Sequence, residues 1–418
     1  MANLDITAMS AALKEYYHGQ KVTDLVFKKN PFFAMVKKNT KCGGKVIPVP
    51  VQYGASQGRS TVFATAQANQ TAAALAEFML TRKSDYSVAT ISNEAIEATK
   101  GDAEAFINAS KLLIDAAFKS ITLSAASSLF RSGTGTIGKG TSGTNAAGGA
   151  TAAASGVLAL ADATQALQFE VGMALKAATG DGSGIRATPL YVIAVDRSLG
   201  TITLSNTPGG SVYDFTSASW AATDYLSVEG DYNAKMSGLG AWLPIVRPTS
   251  ADNFYGVNRS FDADRLAGIY HDGSADSIEE ALVDISAKTA ERGGSPGKAF
   301  MSYTSFRSLV KSLGSKVQYV DLESDAGVGF RGVRIHGDDG NIDVIPDRNC
   351  PPQLAYLLDM DTWTLDSVGE VPHIVTYGKE GLEMLRVSNA DAAEVRIAYY
   401  ANLECNAPGW NGVCKLGV

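Results

Sequence analysis

Val46-Ile47-Pro48-Val49-Pro50-Val51-Gln52-Tyr53 is a β-rich run interrupted by two prolines at i and i+2. Successive N–H groups of a strand point to opposite edges, so Pro48 and Pro50 remove donors from one edge only and leave the other able to pair. The run predicts an edge strand. Asp85-Tyr86-Ser87-Val88-Ala89-Thr90-Ile91-Ser92 is its expected partner, because residues 54–76 between them are rich in Gly, Ser, Gln and Ala and too polar and small to build a core. A two-stranded ribbon is marginal by itself in water. It needs another surface to lie on, and a second subunit can supply one.

Before the ribbon, residues 6–17 are weakly helical, and 27–41 mix aromatic and basic residues around Asn30-Pro31, a turn signal expected to break any helix and leave an extended arm. After it, Gly101-Asp102 opens the strongest helix, with Asp102 as N-cap and Phe106, Leu113, Ala117 and Ile121 on one stripe. Ile114 and Phe118 widen the stripe. The helix should run to Arg131, roughly thirty residues or about 45 Å, and be packed on more than one side.

Residues 133–156 are almost wholly Gly, Ala, Ser and Thr and read as a low-complexity linker. Between 157 and 232 short β runs alternate with turns. Leu190-Tyr191-Val192-Ile193-Ala194-Val195 and Thr201-Ile202-Thr203-Leu204-Ser205, joined through Asp196-Arg197-Ser198-Leu199-Gly200, predict a hairpin within a small inserted barrel or sandwich.

From Asp276 the pattern alternates between α and β. Ser277-Ile278-Glu279-Glu280 is a capping box for a helix carrying Ile278, Leu282 and Ile285, stopped by Gly293-Gly294. A strand over 298–303 follows, then a helix capped by Thr304 with Phe306, Leu309, Val310 and Leu313, then buried strands over 341–345 and 354–358. Three β-like runs, 374–377, 382–387 and 395–403, close the chain.

Composition bounds the function. The 418 residues suffice for two or three domains, and 45% hydrophobic against 19% charged residues excludes a mostly disordered chain. A net charge of −7 argues against a dedicated binder of phosphate backbones. Cys42, Cys350, Cys405 and Cys414 include no C-x-x-C pair, which argues against a disulfide framework or zinc finger and for reduced thiols. Neither a signal peptide nor an apolar run long enough to span a membrane is evident, so the expected setting is the cytoplasm or something assembled there.

The chemical motifs are weak. Gly133-Thr134-Gly135-Thr136-Ile137-Gly138-Lys139 begins like a phosphate-binding loop, but Gly140 replaces the Ser or Thr that holds magnesium, and the run follows a helix instead of a strand. Two G-x-S-x-G matches, around Ser56 and Ser295, lack the strand-to-helix elbow of a hydrolase. His18, His271, His336 and His373 are scattered. Asp338, Asp339, Asn341, Asp343 and Asp347 form an oxygen-rich stretch that a hard cation would suit, yet without EF-hand spacing a solvated turn is the better reading. Asp359 and Asp361, spaced as paired acids, read as the end of a strand. No catalytic, cofactor-binding or metal-ligating residue is assigned.

In the order of its parts the chain resembles the major capsid proteins of tailed bacteriophages, with the Hong Kong 97-type fold. The resemblance rests on residues 45–53 and 85–99, the helix 102–131, the α/β unit 276–368, Gly340-Asn341-Ile342-Asp343-Val344-Ile345-Pro346-Asp347, Leu354-Ala355-Tyr356-Leu357-Leu358-Asp359, and Val395-Arg396-Ile397-Ala398-Tyr399-Tyr400. It implies an α+β fold: N-terminal arm 1–44, E-loop 45–99, peripheral domain with spine helix 100–134, inserted β domain 135–235, peripheral continuation 236–275, axial domain 276–371 and peripheral return strands 372–418. It further implies self-assembly as hexamers and pentamers into an icosahedral shell around double-stranded DNA contacted non-specifically. It implies no membrane partner. Expected partners are a separate scaffolding protein, a portal and a candidate decoration protein, with assembly in the host cytoplasm and residence in the virion. Lys83 is a conceivable cross-linking lysine with no matching partner. The alternatives are an encapsulin-like compartment shell, a nucleotide-binding enzyme using Lys139, and an adhesive protein built around the β insertion.

Overall fold

The computed structural model describes residues 30–94, 103–141, 156–213, 220–313, 319–323, 329–337, 340–376, 384–387 and 390–417. The weak helix over 6–17, His18, the Asp102 cap, Asp338 and Asp339 lie outside them.

The strand Val46–Gly54 pairs with Ala74–Thr81, not with 85–92. Its ladder is unbroken from Val46 to Gln52, which requires the missing N–H groups of Pro48 and Pro50 to face the free edge. The expected partner strand, Lys83–Ser92, instead pairs along its length with Ala392–Cys405. Ala74-Leu75-Ala76-Glu77-Phe78-Met79-Leu80 is rich in helix formers, which hid its β role. Its alternation shows only in burial: Phe78 and Leu80 are buried, Leu75 and Met79 exposed.

Asn30-Pro31 starts a helix where a break was expected. Proline lacks an N–H that the first helical turn leaves unpaired anyway, so it opens the short helix Pro31–Met35. The chain then forms Lys37–Asn39, parallel to Trp363–Ser367. A six-stranded sheet gathers these two, Ala392–Cys405, Lys83–Ser92, His373–Ile374 and Met384–Arg386. The long helix, Ala103–Ser128, packs Ala117, Ile121 and Ala125 into the main core, with Leu113, Ile114 and Phe118 partly buried against it.

The described residues between 136 and 228 make a small barrel. Its strands run in the order Thr136–Lys139, Tyr225–Val228, Ala174–Gly180, Leu190–Asp196, Thr201–Ser205, Val157–Ala159, all antiparallel, and a bridge between Gly140 and Leu160 closes the circuit. The predicted hairpin is the pair Leu190–Asp196 and Thr201–Ser205. The supposed linker thus contributes a barrel strand at its beginning, while 142–155 lie outside the described residues. Leu158, Phe169, Leu175, Val192, Leu204 and Leu226 fill the interior, a core separate from the main one.

A seven-stranded mixed sheet forms the α/β unit, in the order Ile269–Gly273, Gly412–Leu416, Leu354–Leu358, Lys298–Met301, Gly340–Pro346, Gly329–Gly337, Tyr319–Glu323. Helices Ile278–Glu291 and Tyr303–Leu313 cover one face through Leu282, Ile285 and Leu309, and Phe300, Ile345 and Tyr356 turn the other toward the main core. Burial on both faces explains why Leu354-Ala355-Tyr356-Leu357-Leu358 is continuously apolar. The capping box is present: Ser277 Oγ accepts from Glu280 N at 3.3 Å and Glu280 Oε2 from Ser277 N at 3.1 Å. Ser302, not Thr304, caps the second helix, accepting from Ser305 N at 3.2 Å.

This sheet also recruits strands from outside 276–371. Ile269–Gly273 and Gly412–Leu416 enter it, while Trp363–Ser367 leaves for the six-stranded sheet. Partners so distant in sequence are chosen by tertiary packing, which local pattern does not encode.

Candidate assembly interface

The base of the ribbon is seated on its own subunit. Val49, Val51, Phe78 and Leu80 face inward, and the Phe78 ring lies 5.1 Å from Trp242 and 6.0 Å from Phe254, both edge-on. Arg259 stacks over Phe254 at 4.2 Å and holds Asp252 with two N–H groups, at 2.9 and 3.0 Å. Met79 N donates to Tyr255 O at 3.0 Å, and Arg265 donates to Tyr53 O at 2.6 Å. These contacts aim the ribbon outward from a rigid footing.

Its other face is uncovered. Leu75 is 69% exposed, with Met79 exposed on the same side, and at the tip Phe63 is 80% exposed beside Val62. A short helix, Phe63–Ala68, with no buried residue presents the tip. The sequence signal was the lone apolar pair Val62-Phe63 in an otherwise polar run. Ile245, Val246, Phe261 and Trp410 are further exposed large apolar residues on the body. Apolar surface of this kind on a fixed scaffold suits protein–protein contact.

The footing of the arm is polar and buried. Asp347 accepts from Phe32 N at 3.2 Å and Asn349 N at 2.9 Å, while Asn349 Nδ2 donates to Asn30 Oδ1 at 2.9 Å. Burial pushes the Asp347 carboxyl up to about 6. On the neighbouring strand Asp366 Oδ1 accepts from Asn39 at 2.9 Å and from the Cys42 thiol at 3.0 Å. Burial and the Asp366 carboxylate push Cys42 up to about 12, so it is an unreactive thiol. Burial and Asp366 also push Glu404 upward.

The weak motifs do not converge. Gly138 and Lys139 lie inside a barrel strand, not in a loop, and a Cβ at Gly138 would meet Phe169 at 2.9 Å, so packing requires that glycine. Ser56 sits in the loop after Gly54, and Ser295 between a helix and a strand. Asp343 holds Arg334 at 2.8 Å and Asp347 holds the arm, so these two carboxylates serve different neighbours. Asp359 accepts from Asp361 N at 3.1 Å in a turn just past the strand, and Asp361 pairs with Lys37 at 2.8 Å. Lys83 stands at the start of its strand opposite Ala401. His336 and His373 are apart.

His271 has neighbours that the sequence did not reveal. Its Nε2 lies 3.9 Å from Asp276 and 3.7 Å from Asp284, and its Nδ1 2.7 Å from Lys288 Nζ. An ammonium on Nδ1 keeps the ring proton on Nε2, where a metal would have to bind, so the group is a charge cluster and not a prepared metal site.

Residues 218–383 match the family model described as SU10 major capsid protein. No curated protein sequence matches the chain. Among solved structures, the capsid asymmetric unit of cyanophage A-1(L) aligns over 95% of this chain and 94% of its own, at 12% identity and a TM-score of 0.53. The holo-SrpI encapsulin complex of Synechococcus elongatus PCC 7942 aligns over 99% and 96% at 8% identity and TM-score 0.45, and the capsid of the native GTA particle over 98% and 99% at 8% and 0.44.

Proposed function

We infer that this chain, a major capsid protein of the tailed-phage type with the Hong Kong 97-type fold, encloses a phage genome by closing many copies of itself into an icosahedral shell of hexamers and pentamers. One observation carries the assembly mechanism: a ribbon rooted rigidly in its own core, with an apolar outer face and tip that its own subunit leaves bare. Weak contacts repeated around a closed shell permit correction during growth and become durable together.

In this reading residues 1–44 are the arm, 45–99 the E-loop, 100–134 the peripheral domain with its spine helix, and 135–235 the inserted barrel. Residues 236–275 and 372–418 complete the peripheral domain, and 276–371 are the core of the axial domain, to which the peripheral segments lend one strand each. The chain catalyses nothing. Double-stranded DNA is held without sequence readout, and a scaffolding protein, a portal and a decoration protein complete the head. Assembly takes place in the host cytoplasm.

Sedimentation velocity on the expressed chain tests this. With its scaffolding protein present, wild-type chain should form large uniform particles, and a Phe63→Ser, Leu75→Ser, Met79→Ser variant should stop at subunits or capsomers with unchanged circular dichroism. Particles that form equally well from the variant would remove the ribbon from the mechanism.

A further inference from the structure

A cavity of about 260 Å³ lies where the long helix ends and the barrel begins. Its walls include Arg131 just after the helix, Thr136 and Lys139 on the first barrel strand, Gln165 on the 3-10 turn, Asp181 and Tyr225. We propose that it binds a small tetrahedral oxyanion of the phosphate or sulfate class, held between Arg131 and Lys139.

Charge and hydrogen bonding support this occupant. Arg131 Nε is shielded from solvent and has no hydrogen-bond partner, and its Nη2 donates only weakly, at 3.3 Å, to Ile137 O. No carboxylate lies within ion-pair distance of Arg131 or Lys139 among the described residues; Lys139 Nζ rests over the Tyr225 ring at 4.7 Å. Two cations thus face one carboxylate, Asp181, which already accepts from Thr136 Oγ1 at 2.7 Å. Gln165 Oε1 accepts from Lys139 N at 2.9 Å, which commits its oxygen to the chain and leaves its amide nitrogen as the group available to a guest. Burial pushes the Arg131 guanidinium below its usual pKa, a cost that an anion offsets. A guanidinium and an ammonium lining one pocket with a neutral amide donor suit an oxyanion.

Size narrows the class. The cavity has room for an oxyanion with several waters at about 30 Å³ each, but falls below the roughly 300–1,000 Å³ of sites for larger ligands, so it does not enclose a whole nucleoside triphosphate. Lys139 therefore meets an anion, but not in a nucleotide-binding loop. Because the walls come from both the helix end and the barrel, an occupant would tie the two together.

Isothermal titration of the unassembled chain with inorganic phosphate, sulfate and ATP, at ionic strength held constant with chloride, tests the proposal. Phosphate or sulfate should bind once per chain, about tenfold more weakly in Lys139→Gln and more tightly in Asp181→Asn, with ATP no better than phosphate. Lys139 is half-buried, so its variant is expected to fold, and circular dichroism verifies this. The proposal is overturned if neither phosphate nor sulfate binds, if both variants bind like wild type, or if ATP alone binds.

Discussion

Asn411 is wholly buried where the two sheets meet, and its side chain uses both ends. Its oxygen accepts from Asp359 N at 2.8 Å and from Trp363 Nε1 at 2.9 Å, while its nitrogen donates to Ala407 O at 2.9 Å and Thr362 Oγ1 at 3.0 Å. Asn411→Ala would strand the Trp363 and Asp359 donors without water, and should cost about 2–4 kcal/mol in urea unfolding of the unassembled chain. Asp347 offers a test by pH. Desolvation raises its carboxyl to about 6, against hydrogen bonds from Asn349 and Phe32 that favour the ionised form. The native state thus holds this proton more tightly than the unfolded chain, where an Asp titrates near about 3.9. Stability from this group is full below about pH 4 and is lost as pH rises through about 6, the reverse of an ion-paired aspartate. Wild type should lose a few kcal/mol across that window relative to Asp347→Asn, measured by urea midpoints at each pH. None of this was legible in sequence. Asp347 looked like a turn carboxylate or cation ligand because nothing local shows that the arm, over 300 residues away, seals it from water.

Elements whose signals are local were legible. The capping box at Ser277, the Gly293 stop, the turn at Asp196–Gly200 and the stripe Ala117, Ile121 are written within a few residues, and each element forms where its signal stands. The pairing of the ribbon was not, because strand partners are chosen by which faces the rest of the fold buries. One junction shows this coupling. Asp85 Oδ2, on the strand after the ribbon, accepts from Lys235 Nζ at 2.5 Å, Ser124 Oγ of the long helix at 2.7 Å and Tyr399 OH at 3.2 Å. Lys235 also reaches Asp231 at 3.1 Å, and only 8% of its surface is exposed. Lys235→Met would leave two acids facing each other in a half-buried site. The expected loss is about 3–5 kcal/mol, seen as a lower thermal midpoint, and Asp85→Asn in the same background should recover part of it.

At the scale of the whole molecule, order mattered more than any motif: arm, ribbon, long helix, β insertion and α/β unit in sequence led to the fold, though Gly412–Leu416 and Ile269–Gly273 had to be placed by the structure. The barrel has its own closed sheet and core, joined to the α/β unit by the hydrogen bond from Arg348 to Leu167 O. Residues 135–230 expressed alone should unfold cooperatively in urea, whereas a non-cooperative melt would mean the barrel depends on the body. In the assembled shell the exposed ribbon becomes an interface between copies. Electron microscopy of particles assembled from the purified chain, with and without its neighbouring head proteins, decides this. Closed shells are expected in which Phe63, Leu75 and Met79 of each ribbon lie against an adjacent subunit. A compact monomer under every condition, or shells in which these residues face solvent, would contradict it.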